Sequence, residues 1–139
     1  MMTKKHAATL LILMLVGLTG LVNAQVSTLM KAQIPFDYVA NGKTMSKGEC
    51  VIAVVTNGST FLTIRSGERT VVALSIVDGS PNTSKQTALV FHRYGNRYFL
   101  AGVKRAGAVG YSLPTSRHEN ELRAQNVREE VLTLLASAN

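Results

Sequence analysis

His92, His118 and Cys50 are the side chains beyond the first 24 residues whose chemistry suits acid–base or thiol catalysis near neutral pH. A histidine base needs a nucleophile or an orienting carboxylate within hydrogen-bond reach. His92 lies in Phe91-His92-Arg93-Tyr94, and the strand register expected there places neither group beside it. A structural histidine is therefore expected. His92 and His118, even joined by Asp37, Asp78 or a Glu, lack any diagnostic metal-ligand spacing, so no metal is assigned. Cys50 is the only cysteine, which excludes an intrachain disulfide and the Cys-based zinc motifs. Its readings are a small buried residue at a strand start, half of an intermolecular disulfide joining two copies, or a thiol activated by Arg65 across the strand pair. No nucleophile elbow, phosphate-binding glycine loop or zinc-protease motif is present, and no catalytic or cofactor-binding residue is assigned.

Binding chemistry has a better candidate. Arg93, Tyr94, Arg97 and Tyr98 surround Gly95-Asn96, with His92 next to them and Lys104 and Arg105 further along. Arginine beside tyrosine at one hairpin tip can make cation–π and charge-assisted contacts to an acidic or aromatic partner. The competing reading is internal: an Arg93–Tyr98 cross-strand pair worth about 0.2–1 kcal/mol to the hairpin itself.

These residues must be carried by a small domain. The chain has 139 residues, 46% hydrophobic and 17% charged, with 15 Lys or Arg against 8 Asp or Glu. Lys4 and Lys5 precede an uncharged, mostly apolar stretch, Ala7 to Leu21, which exits through Val22-Asn23-Ala24. That pattern predicts a secretory signal peptide over residues 1–24, cleaved between Ala24 and Gln25. The run is shorter than the roughly 20 apolar residues a membrane helix needs. The mature chain would then be one basic domain, 25–139, periplasmic or extracellular, with no transmembrane span. Losing the two lysines lowers the formal charge from +7 to about +5. Such a surface favours an acidic envelope component or protein, and export disfavours nucleic acid as a partner.

Apolar alternation predicts a mainly β fold. Cys50–Thr56 and Ser59–Arg65 flank Asn57-Gly58, a strong hairpin signal. A two-residue loop there sets Val54 against Phe61, Ala53 against Leu62 and Val51 against Ile64. A third strand, Thr70–Val77, returns after Gly67-Glu68, setting Leu62 against Ala73 and Ile64 against Val71. Asp78–Lys85 reads as a loop. The second hairpin, Thr87–Tyr94 with Arg97–Val103, pairs Tyr94 with Arg97, Arg93 with Tyr98, His92 with Phe99 and Phe91 with Leu100. Upstream, Met30–Ala40 is extended but interrupted by Pro35, and Asn41–Gly48 is a loop. Ser116 with Glu119 has capping-box spacing, and Leu122, Val127, Val131, Leu134 and Leu135 follow at roughly helical intervals. The expected architecture is an antiparallel small barrel or sandwich of about six or seven strands with one C-terminal helix over 115–136.

Ile34-Pro35-Phe36-Asp37-Tyr38, Gly48-Glu49, Phe91-His92-Arg93-Tyr94-Gly95, Tyr98-Phe99-Leu100 and Leu113-Pro114…Ser116 occur in an order and spacing that resembles a group of small exported bacterial proteins without an assigned activity. The likeness spans about Ile34 to Leu122. It implies an exported, mostly β domain and brings no catalytic residue. Cys50 stands where that group usually has an aromatic residue, which speaks against a nucleophile.

The expected function is accordingly a non-catalytic exported domain that contacts an acidic envelope component or protein through the His92–Tyr98 hairpin. The alternative is a small barrel carrying an apolar ligand, with a hydrolase as a more distant third.

Overall fold

The structure, a computed structural model, describes residues 25–138 apart from 82 and 84. The expected leader and its exit at Ala24 lie outside the described residues.

Two sheets are built from these residues. The first has five strands in the order β12-β1-β4-β5-β6: β1 is Gln25–Ile34, β4 Gly48–Asn57, β5 Ser59–Ser66, β6 Arg69–Leu74 and β12 Ser137–Ala138. The second, of seven strands, has the path β11-β8-β9-β10-β7: β7 is Ile76–Pro81, β8 Ala88–Tyr94, β9 Arg97–Arg105, β10 Ala108–Ser112 and β11 Glu129–Leu135. The short hairpin of β2 (Tyr38–Ala40) and β3 (Lys43–Met45) completes it, β2 meeting β9 in the fold's parallel contact at Val39 and Phe99. Among the described residues one helix, α1, covers Arg117–Ala124. Over the described residues the fold is mainly β with a single helix near the C-terminus, and its two sheets fit a sandwich.

Strand number exceeds the expected count, partly because single residues break long extended segments and partly because strands replace the expected end of the C-terminal helix. Pro35 ends β1 and turns the chain toward β2. Asn41 and Gly42, with φ of 47° and 74°, make a tight turn inside the expected Asn41–Gly48 loop and create β3. The expected strand Thr70–Val77 divides at Ser75. There the backbone N–H and the hydroxyl both donate to the Thr60 carbonyl, at 3.0 and 3.1 Å, and the chain leaves for the second sheet. Asp78–Pro81, expected as loop, therefore extends β7 along β10. A second crossing occurs at Ala136, whose N–H donates to the Thr87 carbonyl at 2.9 Å between β11 and β12. Strands that switch sheets make such corners.

The core lies between the sheets. Met30, Ile34, Ile52, Leu62 and Ile64 from the first meet Leu89, Phe91, Leu100 and Val103 from the second, with Tyr38 and Met45 from the short hairpin. The β5–β6 register follows the expected one, with Leu62 opposite Ala73 and Ile64 opposite Val71. So does the β8–β9 hairpin through Tyr94–Arg97, Arg93–Tyr98, His92–Phe99 and Phe91–Leu100.

The first hairpin differs by one residue. Asn57 pairs with Ser59, leaving Gly58 alone at the tip with φ of 71°, and Ile52, not Val51, lies opposite Ile64. A one-residue slip exchanges the faces of a strand. The observed register gathers Ile52, Leu62 and Ile64, all fully buried, on one face, and turns Val51 outward. Core burial outweighs the expected two-residue loop. Cys50 consequently faces Ser66 rather than Arg65.

The C-terminal segment is the largest departure. The expected helix over 115–136 stops at Ala124, after about two turns. Gln125 caps it, and Asn126 takes a left-handed φ of 57° that ends helical propagation. Glu129–Leu135 then pairs with all of β8, from Glu129–Tyr94 to Leu135–Ala88. Satisfying the open β8 edge outweighs the loose helical spacing of Val131, Leu134 and Leu135. The helix start is as expected: Ser116 Oγ accepts from the Glu119 N–H at 3.2 Å, a cap worth about 1 kcal/mol.

Candidate functional site

The outer face of the second sheet carries the polar groups that the sequence singled out. Alternation along β8 turns Leu89 and Phe91 into the core and His92 and Tyr94 outward, beneath α1. Phe99 on β9 lies opposite His92, and its ring meets the Tyr94 ring edge-on at 5.7 Å between centroids. Tyr94 and Phe99 are both 2% exposed. They form a small apolar floor of their own.

On that floor stands a cluster drawn from three elements. Glu119, in the first turn of α1, donates its backbone N–H to Ser116, but its carboxylate does not return to the cap. It accepts from His92 Nδ1 at 2.5 Å and lies 3.0 Å from the Tyr94 hydroxyl. Glu119 is 3% exposed, a burial that a carboxylate tolerates only when hydrogen-bonded or paired. Arg123, one turn further along α1, donates through Nε to the Tyr94 hydroxyl at 2.8 Å and to Glu129 Oε2 at 3.0 Å. Glu129, at the start of β11, lies 3.0 Å from the Tyr94 hydroxyl and 3.7 Å from His92 Nε2. The Tyr94 phenol has one proton for two carboxylates and accepts from Arg123, so it is the hub of the cluster.

Electrostatics follow from this arrangement. Burial, reinforced by the flanking carboxylates and opposed by the Arg123 hydrogen bond, pushes the Tyr94 hydroxyl up to about 12. Burial alone would raise the Glu129 carboxyl, but the Tyr94 hydrogen bond and the charges of His92 and Arg123 hold it below its ordinary value. The Tyr94 hydrogen bond raises Arg123. Glu119–His92 has the form of an orienting carboxylate and a base. What is missing is a nucleophile: the hydrogen-bond partners of His92, Tyr94 and Arg123 among the described residues include no Ser, Thr or Cys.

A cleft of about 380 Å³ opens on the other side of the α1 N-terminus, between β2–β3 and the Gly95-Asn96 turn. Arg97, His118, Asn96, Tyr98 and Asp37 line it. His118 Nε2 lies against Arg97 Nη1, and its ring is tilted over Phe99 at 6.0 Å. Asp37 already accepts from the Lys47 N–H at 2.9 Å. Among the described residues no carboxylate pairs with Arg97, whereas Arg93 meets Glu130, Arg117 meets Glu121 and Arg123 meets Glu129.

The five residues singled out in the hairpin therefore do not form one patch. His92 and Tyr94 turn beneath α1. Arg93 and Tyr98 lie opposite each other with the guanidinium 5.5 Å from the ring, as the internal reading expects, and Tyr98 stacks on Phe36 at 3.7 Å. Arg97 alone of the five lines the cleft with an unpaired charge, beside the Tyr98 ring. Cys50 is fully buried and accepts from the Tyr38 hydroxyl at 3.3 Å; burial raises both groups. That burial keeps the thiol from the surface, and the β4–β5 register sets it opposite Ser66 in place of the expected Arg65. Glu119, Arg123 and Glu129 were not singled out from sequence. The spacing from Ser116 placed Glu119 at a cap, and nothing local to residues 116–129 points at β8.

Among the described residues no group of three or more His, Cys, Asp or Glu is placed to hold a metal ion. No described helix is long and apolar enough to cross a membrane. Comparison of the chain with protein-family models, with curated proteins and with solved structures finds no match.

Proposed function

We propose that this chain is an exported, non-catalytic binding domain that receives an acidic group of an envelope component or protein in the cleft beside the Gly95-Asn96 turn. The observation that carries the reading is Arg97: it lines the cleft, next to His118 and the Tyr98 ring, and no carboxylate among the described residues pairs with it. An arginine so placed has N–H donors to spare for a carboxylate or phosphate. Beside the turn Arg93 meets Glu130 and Tyr98 stacks on Phe36. Export rests on the leader pattern of residues 1–24. The absence of a nucleophile from the described His92–Glu119 cluster supports a role in binding. Large side chains, including Met30, Ile34, Ile52 and Phe91, fill the space between the sheets, so no observation favours the carrier of an apolar ligand.

The test is titration of the mature chain with a fluorescent glutamate-rich peptide, followed by anisotropy. Arg97→Ala should weaken binding roughly tenfold, the loss of a charge-assisted hydrogen bond. Arg117→Ala, already paired with Glu121, should leave it nearly unchanged. Equal affinities for the wild type and Arg97→Ala would remove this reading.

A further inference from the structure

Among the described residues no helix lies over the outer face of the first sheet, and its cross-strand pairs sort by chemistry. Val26, Val55, Phe61 and Leu74 form one continuous row across β1, β4, β5 and β6. The next row is Thr28, Ala53, Thr63 and Val72. The third is Lys31, Val51, Arg65 and Thr70. Val26 is 66% exposed, Val72 54% and Leu74 53%. Neither Lys31 nor Arg65 pairs with a carboxylate among the described residues. Two shallow hollows share Arg65 and Val51 as walls: one adds Ala53 and Thr63, the other Lys47 and a single carboxylate, Glu49.

We infer that this face docks on the surface of a bilayer containing anionic phospholipid. Four strands and three rows span about 14 Å in each direction. An occupant must therefore present hydrocarbon and anionic groups side by side within that distance. The boundary of an anionic bilayer does so at every point and in any lateral register, because phosphates overlie acyl chains. Lys31, Lys47 and Arg65 meet the phosphates, while Val26, Val72 and Leu74 enter the boundary. A soluble acidic protein would match the cationic row and leave the apolar row in water. The face lies on the sheet opposite the one that carries the Arg97 cleft and does not depend on it.

Vesicle flotation tests this with the mature chain, using phosphatidylcholine vesicles with and without about 30% phosphatidylglycerol. The chain should float with the anionic vesicles only. Lys31→Ser/Arg65→Ser should lower partitioning about tenfold or more, whereas Lys104→Ser/Arg128→Ser, an equal loss of charge elsewhere, should lower it less than about threefold. Val72→Ser/Leu74→Ser should weaken binding at high salt as well, where charge is screened. All of these side chains are exposed, and circular dichroism verifies the fold. Equal losses from the two charge pairs, no flotation with anionic vesicles, or loss of acidic-peptide binding alone in Lys31→Ser/Arg65→Ser would each overturn the inference.

Discussion

The outer faces of the two sheets hold similar residue types to different ends. On the second sheet α1 lies over Tyr94 and Phe99, β11 pairs alongside β8, and His92, Glu119, Arg123 and Glu129 all find partners there. On the first sheet Phe61, Val72 and Arg65 stand on a face that no other described element crosses. Polar clustering thus marks where the chain closes on itself, and unpaired charge beside exposed aliphatic rows marks where it remains open. The most conspicuous constellation, His92–Glu119–Arg123–Glu129, belongs to the closed face.

Two phenylalanines give the sharpest contrast. Phe99→Ala should cost about 3–5 kcal/mol, because it empties the floor under α1. Phe61→Ala, half-buried on the open face, should cost about 1 kcal/mol or less. Urea denaturation of both variants measures the difference through the midpoint. Equal costs would mean that the two faces are covered alike.

Next in size is the buried carboxylate. Glu119→Ala leaves the His92 Nδ1–H without its acceptor and Tyr94 with one carboxylate instead of two, so about 2–3 kcal/mol should be lost. Glu119→Gln keeps an acceptor oxygen in the same place and should lose about half as much. If both variants unfold at the wild-type midpoint, the cluster is not holding α1 to the sheet.

Tyr94 adds a pH signature on the alkaline side. Its folded value of about 12 lies above the ordinary 10, so the folded state favours the neutral phenol. The resulting stability is complete below pH 10 and is lost progressively as pH rises toward 12. Tyr94→Phe should cost about 1 kcal/mol at neutral pH. The difference between the two proteins should shrink as pH rises from 10 to 12, and a constant difference across that window would contradict the burial of the phenol.

Parts of this were legible before the structure, and physical locality explains which. The β8–β9 pairing follows from its turn alone, since Gly95-Asn96 admits a two-residue corner and Phe91 and Leu100 then share a face. The β4–β5 pairing does not, because Val51, Ile52, Ala53, Val54 and Val55 are apolar on both faces. Alternation therefore cannot choose between two registers one residue apart, and the packing of Ile52 on Ile64 decides. The C-terminal strand was illegible for a related reason: Asn126 adopts a positive φ without a glycine to announce it, and the partner edge on β8 is over 30 residues upstream in the chain. The site suffered most. Glu119 was visible as a capping residue, but its bonds to His92 and Tyr94 exist only once α1 lies on the second sheet.

The smallest expected effect falls on the rim of the closed face. Glu129 is partly exposed, so solvent screens its pairs with Arg123 and His92 and only a modest contribution is expected. Its sign is nevertheless fixed. Because the folded carboxyl titrates below its ordinary 4.5, the stability it contributes is present above that pH and is lost as pH falls through the folded value. Glu129→Gln abolishes the titration. The stability gap between wild type and variant should therefore narrow as pH falls below about 5. Glu130→Gln serves as the matched comparison, since Glu130 is more exposed and meets Arg93 only at 3.7 Å. An equal narrowing for both would locate the effect in overall charge and not in the Tyr94 hub, and would erase the distinction between the rim of the closed face and the open one.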